Sequence, residues 1–193
     1  VGKTTCARIL ARKINEKSGA SDDSGFAFNI YELDAASNNS VDDIRELIDQ
    51  VRFAPQVGKF KVYIIDEVHM LSAAAFNAFL KTLEEPPAHA IFILATTEKH
   101  KIIPTILSRC QIYDFKRITI EDIQEHLRKI ADKEGITYED DALFLIAQKA
   151  DGALRDALSI FDRLATFTQK NITLAKAAEV LNILDYDQYL KIV

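Results

Sequence analysis

The chain reads as an α/β protein with a parallel, doubly wound sheet and helices on both faces, followed by a small all-helical domain. Three observations predict it. Short apolar runs rich in β-branched residues alternate with helical patterns through residue 115. The central run, Val62-Tyr63-Ile64-Ile65, is apolar without a break, as expected of a strand covered on both faces. Beyond Thr119 the strand signals stop and helical periodicity takes over.

Taken in order, Gly2-Lys3-Thr4-Thr5 leads into a helix whose apolar positions are Cys6, Ile9, Leu10 and Ile14. Residues 17–25 are small and polar, a flexible loop. Phe28 to Asp34 follows as a strand with Phe28, Ile30 and Leu33 inward. Ser40 suits an N-cap, with Asp43 three residues on, and Ile44, Leu47, Ile48 and Val51 line one helical face. Pro55 and Gly58 end that element before the central strand, which closes in Asp66-Glu67. Ser72 can cap a helix carrying Phe76, Phe79, Leu80 and Leu83, and Pro86-Pro87 stops it. Ala90 to Thr97 repeats the buried strand and finishes in hydroxyl residues; Ile112 to Phe115 is a shorter strand. Helical segments then run from about Ile120 to Glu134, Glu139 to Ala150, Leu154 to Thr168 and Leu174 to Leu184, with Thr119 and Thr173 as caps and Gly135 and Gly152 as stops. The composition shift puts the boundary near Arg117. This gives an α/β domain over 1–117, a helical domain over 118–182, and the first turns of another helical unit over 183–193.

Composition narrows the class. At 193 residues the chain can bury a sizeable core, and 48% apolar with 27% charged residues is ordinary for a soluble globular protein. No run approaches the roughly 20 apolar residues of a membrane helix. No secretory signal is visible, and with no initiator Met the expectation is a piece of a longer sequence. Cys6 and Cys110 form no C-x-x-C and no four-ligand set, so the expectation is a reduced, cytoplasmic protein without structural zinc. A net charge of −5 argues against a strong, self-sufficient nucleic-acid binder, while leaving room for local basic faces such as Lys99, His100 and Lys101.

Two motifs carry chemistry. Gly2-Lys3-Thr4 is the latter half of a phosphate-binding loop whose first glycine would lie ahead of Val1. Gly2 would let backbone N–H groups approach phosphate, the following helix would point its positive end there, Lys3 would neutralise phosphate charge, and Thr4 would offer its hydroxyl to Mg²⁺. Asp66 and Glu67 end the central strand where open α/β sheets bind ligands, an aspartate for Mg²⁺ and a glutamate to activate water. Alone, either motif also suits a solvated turn; together they indicate a nucleoside triphosphate with Mg²⁺. Thr97, at the end of the next strand, suits a γ-phosphate or attacking-water contact, or simply a turn hydroxyl. Arg109, in Ser108-Arg109-Cys110, is either a surface charge or an arginine finger directed at a neighbouring subunit's triphosphate. Arg155 opens a helix, where the macrodipole does not favour it, and so suits an outside anion or pairing with Asp151 or Asp156. His69 reads as a turn residue packing beside the site, and Glu84-Glu85 as a solvated helix end.

These stretches, with Glu32-Leu33-Asp34-Ala35-Ala36-Ser37-Asn38-Asn39, Asp66-Glu67-Val68-His69-Met70-Leu71, Leu80-Lys81-Thr82-Leu83-Glu84-Glu85-Pro86-Pro87, Leu94-Ala95-Thr96-Thr97 and Gly152-Ala153-Leu154-Arg155-Asp156-Ala157-Leu158, closely resemble the gamma/tau subunits of bacterial DNA polymerase III, the clamp-loader ATPases. The resemblance implies an AAA+ P-loop NTPase with a three-helix lid domain, using ATP and Mg²⁺ within a DNA-directed DNA polymerase complex. It makes Gly2, Lys3, Thr4 and Thr5 the nucleotide-binding loop, Thr4 and Asp66 the Mg²⁺ ligands, and Glu67 the catalytic carboxylate. Thr97 becomes the first sensor, Arg109 the finger acting in trans, and Arg155 the second sensor in the lid. Implied partners are other clamp-loader subunits, the sliding clamp, primer-template DNA and the polymerase core, with no membrane. The sequence departs from the family in lacking the four-cysteine zinc module between the first helix and second strand, and in holding only a stub of the collar domain over 183–193. Alternatives are another AAA+ motor, such as a Holliday-junction branch-migration helicase, and a non-hydrolysing scaffold subunit. The Leu-Glu-Glu-Pro-Pro run and Ser-Arg-Cys favour the clamp loader over the first, and the intact Gly-Lys-Thr argues against the second.

Overall fold

Uninterrupted apolarity makes β2 (Lys61–Asp66) the middle strand of a three-stranded parallel sheet, between β1 (Ile30–Asp34) and β3 (Ala90–Leu94). Val62, Tyr63, Ile64 and Ile65 have no solvent exposure at all. The register sets Asp34 opposite Asp66 and Ile65 opposite Leu94, so the strands end at one level. The computed structural model describes residues 1–16 and 29–181. The loop expected over 17–25, Phe28, and the segment 182–193 with its expected collar stub lie outside the described residues, as does most of the stretch where the zinc module would sit. One compact unit spans Gly2–Asp114 and another begins at Phe115.

Helices cover both faces of the sheet. On one side α1 (Lys3–Glu16) packs Ala7 and Ala11 against Val62 and Ile64. This corrects the expected face: Cys6, Ile9 and Leu10 are exposed, the last two by 55% and 50%. The small residues win because they let the helix axis approach the sheet. On the other side α2 (Val41–Val51) and α3 (Ala73–Glu84) bury Ile44, Leu47, Val51, Phe76 and Phe79 against Tyr63 and Ile65. Across that face Tyr31, Tyr63 and Phe92 stack at centroid spacings of 5.0 and 5.4 Å, and Phe79 meets Phe92 edge-on at 5.2 Å. The expected caps are in place. Ser40 Oγ accepts from Asp43 N at 3.1 Å while Asp43 Oδ2 accepts from Ser40 N at 3.1 Å, a complete capping box. Ser72 Oγ accepts from Ala75 N. The short α4 (Pro104–Leu107) buries Ile106.

The strand expected over Ile112 to Phe115 does not form. Among the described residues no strand lies alongside to complete a ladder, and Tyr113 stands 68% exposed, so residue propensity has nothing to pack against.

The second unit is built from α5 (Ile120–Glu134), α6 (Asp140–Ala150), α7 (Leu154–Phe167) and α8 (Leu174–Val180). Its core gathers Ile123, Leu127, Leu143, Ile146, Phe161 and Leu164. It also holds a feature absent from the sequence reading, a two-residue parallel pair of β4 (Thr137–Tyr138) with β5 (Asn171–Ile172). Two residues are too few to show a strand period, so only the fold reveals it. Glu139, expected as the first residue of a helix, is the cap of α6, and its Oε2 accepts from Leu174 N at 2.8 Å at the head of α8. Among the described residues no helix is long and apolar enough to cross a membrane.

Candidate functional site

Seating α1 on β2 through Ala7 and Ala11 brings the first turn of that helix to the carboxyl end of the strand. There Thr4 Oγ1 donates to Asp66 Oδ2 at 2.7 Å, joining positions 62 residues apart. Gly2 precedes the helix in the left-handed region, at φ +81°, and its carbonyl accepts the first helical bond from Cys6 N at 2.9 Å. Lys3 is half-buried beside Thr4 and has no ion-pair partner among the described residues; Thr5 is exposed. Thr4 of the Gly-Lys-Thr stretch and Asp66 of the acidic pair are thus in direct contact.

The other acidic residue turns elsewhere. Glu67 is itself left-handed, at φ 46° and ψ 43°, a conformation that costs a residue with a side chain about 1 kcal/mol or more. Its N–H donates to Asp66 Oδ1 at 3.0 Å, while its own Oε2 accepts from Thr97 N at 3.2 Å and Thr97 Oγ1 at 2.9 Å. The bend therefore divides the pair: Asp66 faces the helix N-terminus and Glu67 faces the end of β3.

His69 packs beside the site as expected, and the structure adds contacts that sequence reasoning did not supply. The His69 side chain is only 7% exposed and lies among side-chain oxygens. Its Nδ1 is 2.9 Å from Thr96 Oγ1 and 3.3 Å from Glu67 Oε2, and its Nε2 is 3.1 Å from Glu98 Oε2. Glu98 in turn pairs with Lys101 Nζ at 2.6 Å, and that hydrogen bond, ahead of other causes, lowers the Glu98 pKa. On the other flank Arg8 grips Glu32 with two bonds, of 2.5 and 2.8 Å, and the Glu32 hydrogen bond raises the guanidinium's pKa further. Spacing offered no signal for either: Arg8 and Glu32 are 24 residues apart and meet only because α1 crosses beside β1.

Arg109 does not join this cluster. Its guanidinium donates to Thr105 O at 2.8 Å and pairs with Glu84 Oε1 at 3.1 Å; Glu84 is the exposed end of α3, as expected, and carries this surface ion pair in addition. Arg155 is exposed on the first turn of α7. Asp151 is bonded to Arg117 instead, and among the described residues Arg155 has no ion-pair partner.

Comparison with known proteins places the chain in a family. Residues 3–119 match the family described as DNA polymerase III, delta subunit, and residues 122–170 match the DNA polymerase III clamp loader subunit, ATPase lid domain. The chain belongs to the DNA polymerase III clamp-loader subunits. Among curated relatives, the tau subunit of Bacillus subtilis is 51% identical over 86% of this chain and 32% of its own length. The gamma subunit of Buchnera aphidicola is 45% identical over 99% and 55%, and the tau subunit of Escherichia coli 43% over 100% and 32%. The chain thus spans about a third to a little over half of the length of these relatives. Among solved structures, the Thermotoga maritima RuvB branch-migration motor superposes with a TM-score of 0.71 over 97% of this chain and 60% of its own, at 20% identity. A gamma subunit-related protein of the same organism gives 0.57 over 98% and 58%, at 22%. At such identities the likeness concerns the fold alone.

Proposed function

We propose that this chain is the ATP-hydrolysing part of a replicative clamp-loader subunit, with nucleotide held by residues 1–117 and the lid formed by 118–182. The observation that carries the reading is the 2.7 Å bond from Thr4 Oγ1 to Asp66 Oδ2, which joins the phosphate-loop hydroxyl to the strand-end carboxylate. Gly2, Lys3 and Thr5 would bind the phosphates through backbone N–H groups and the lysine charge. Thr4 and Asp66 would hold Mg²⁺. The fit is good: two hard oxygens side by side suit an ion that keeps several waters and takes other ligands from phosphate. Among the described residues no cluster of three or more His, Cys, Asp or Glu stands there to demand a different metal. Bound there, the ion would neutralise charge on the phosphate oxygens.

Glu67 would orient a water and accept its proton as the water oxygen bonds to the γ-phosphorus and the bond to the β-phosphate oxygen breaks. Thr97 holds the Glu67 carboxylate from the neighbouring strand and would register the state of the γ-phosphate. Arg109 would act in the site of an adjacent subunit, and Arg155 would contact nucleotide from the lid. Different contacts with ATP and ADP would bias the lid between two positions, the basis of a switch. The switch would open the sliding clamp and release it on primed DNA, in company with the other clamp-loader subunits and the polymerase core.

In the full-length protein, Glu67→Gln should lower ATP turnover by about 100-fold or more, the scale of general-base catalysis, while equilibrium binding of ATP with Mg²⁺ stays near the parent value. Turnover close to the parent rate would remove Glu67 from the mechanism.

A further inference from the structure

Side-chain polar groups bond mostly to backbone or water, as Nε2 of the half-buried His89 does here, at 2.9 Å from Val51 O. His69 is placed differently: every polar neighbour recorded for its ring is a side-chain oxygen, contributed by Glu67, Thr96 and Glu98. A ring in contact with the proposed catalytic carboxylate, and braced from behind, is well situated to fix where that carboxylate points. We propose that His69 is a positioning residue for Glu67, with Glu98 and Lys101 as its brace. The proposal rests on the reading of Glu67 given above.

The argument turns on the two oxygens of Glu67. Oε2 has three polar neighbours: Thr97 N at 3.2 Å, Thr97 Oγ1 at 2.9 Å and His69 Nδ1 at 3.3 Å. Oε1 has no hydrogen-bond partner among the described residues, so it is the oxygen left to meet a water. Thr97 approaches Oε2 from the end of β3, and His69 from the turn that follows Glu67. Contacts from two directions stop the carboxylate from rotating and exchanging its oxygens. The ring is fixed in its turn. Thr96 Oγ1 accepts from Glu98 N at 3.0 Å and lies 2.9 Å from Nδ1, while Glu98 Oε2, tied to Lys101, lies 3.1 Å from Nε2. The left-handed backbone of Glu67 supplies the bend that makes this possible, because His69 follows only two residues later. A carboxylate misplaced by about 1 Å can cost about 100-fold in rate, so such a brace is worth keeping.

The experiment uses the full-length protein in its assembly, with ATP hydrolysis measured beside ATP binding for the parent, Glu67→Gln, His69→Ala, His69→Asn, Glu98→Gln and the double variant Glu67→Gln/His69→Ala. His69→Ala should lower kcat about tenfold or more with KM and ATP affinity within about twofold. His69→Asn, whose amide nitrogen falls near the place of Nδ1, should recover most of that loss. Glu98→Gln, a change at a partly exposed position, should lower kcat by a few fold and serves if His69→Ala does not fold. Because His69 acts through Glu67, the double variant should be no slower than Glu67→Gln alone. The proposal is overturned by a parental kcat in both His69→Ala and Glu98→Gln, by an asparagine no better than alanine in a folded protein, or by losses that add in the double variant. Failure of the underlying reading looks different, since Glu67→Gln would then retain turnover whatever the histidine variants do.

Discussion

The two units use the same backbone device for different ends. In the helical unit, left-handed residues sit where helices stop or turn: Gly135, Asp151, Gly152, Gln169 and Lys170. In the sheet unit, Glu67 adopts that conformation at the end of β2 without ending a helix, and the turn sends its carboxylate toward β3. Both units carry surface ion pairs, such as Arg45–Asp42 in the sheet unit and Arg128–Asp140 and Lys129–Glu125 in the helical one. The sheet unit also draws the polar side chains of Thr4, Asp66, Glu67, Thr97, His69 and Glu98 to one end of its strands. Strain beside convergent polar groups marks a site; strain at a helix end marks a turn.

Each unit has its own apolar core, so the sharpest way to break the comparison is to empty one at a time. Phe79→Ala in the sheet unit should cost about 3–5 kcal/mol and Leu127→Ala in the helical unit about 2–5 kcal/mol, since both side chains are fully buried. Hydrogen exchange should localise the first loss to residues 2–114 and the second to residues 115–181. Equal loss of protection in both halves from either variant would show that the two cores are one cooperative body.

The glycines supply a smaller contrast. At Gly152 a Cβ would come within 2.5 Å of Arg117 Cβ and 3.0 Å of Ile118 O, at φ +78°. Gly152→Ala should therefore cost about 3 kcal/mol, backbone strain and overlap together. At Gly2 the backbone is equally left-handed, at φ +81°, but a Cβ would meet nothing within 4 Å. Gly2→Ala should cost only about 1 kcal/mol from the backbone alone. Denaturant midpoints decide it, and equal losses would mean that space around the glycine does not matter.

Much of this was legible in the sequence because its signals are local. Ser40 and Asp43 announce a capping box within four residues, and the apolar run of β2 announces a buried strand without any partner in view. Thr4 and Asp66 could be paired because each belongs to a motif whose chemistry requires the other. What stayed hidden depends on neighbours. Ala7 and Ala11 carry too little apolar weight to outvote Ile9 and Leu10, yet only small side chains let α1 approach Val62 and Ile64. Ile112 to Phe115 has the composition of a strand but no described partner to bond. His69 read as a turn residue beside the site, but nothing in the chain marks that Glu98, 29 positions later, closes over its other nitrogen.

The smallest expected effect concerns Tyr63, central in the aromatic row of the sheet unit. Its side chain is fully buried and its hydroxyl has no hydrogen-bond partner among the described residues. Burial, with a lesser contribution from Tyr31, pushes its pKa from the ordinary 10.0 up to about 12. Near neutral pH, Tyr63→Phe removes only an unsatisfied hydroxyl, so stability should change by less than about 1 kcal/mol, in the stabilising direction. Above pH 10 the unfolded phenol ionises while the buried one stays neutral, which draws the equilibrium toward unfolding. The parent should thus lose stability between pH 10 and about 12, and the phenylalanine variant should escape that part of the loss. At about pH 11 the variant's advantage should exceed its neutral-pH value by roughly 1 kcal/mol, readable as a shift in urea midpoint. An advantage that does not grow with pH would mean that the Tyr63 hydroxyl is solvated in the folded protein, and that the sheet unit's aromatic row is less dry than its packing implies.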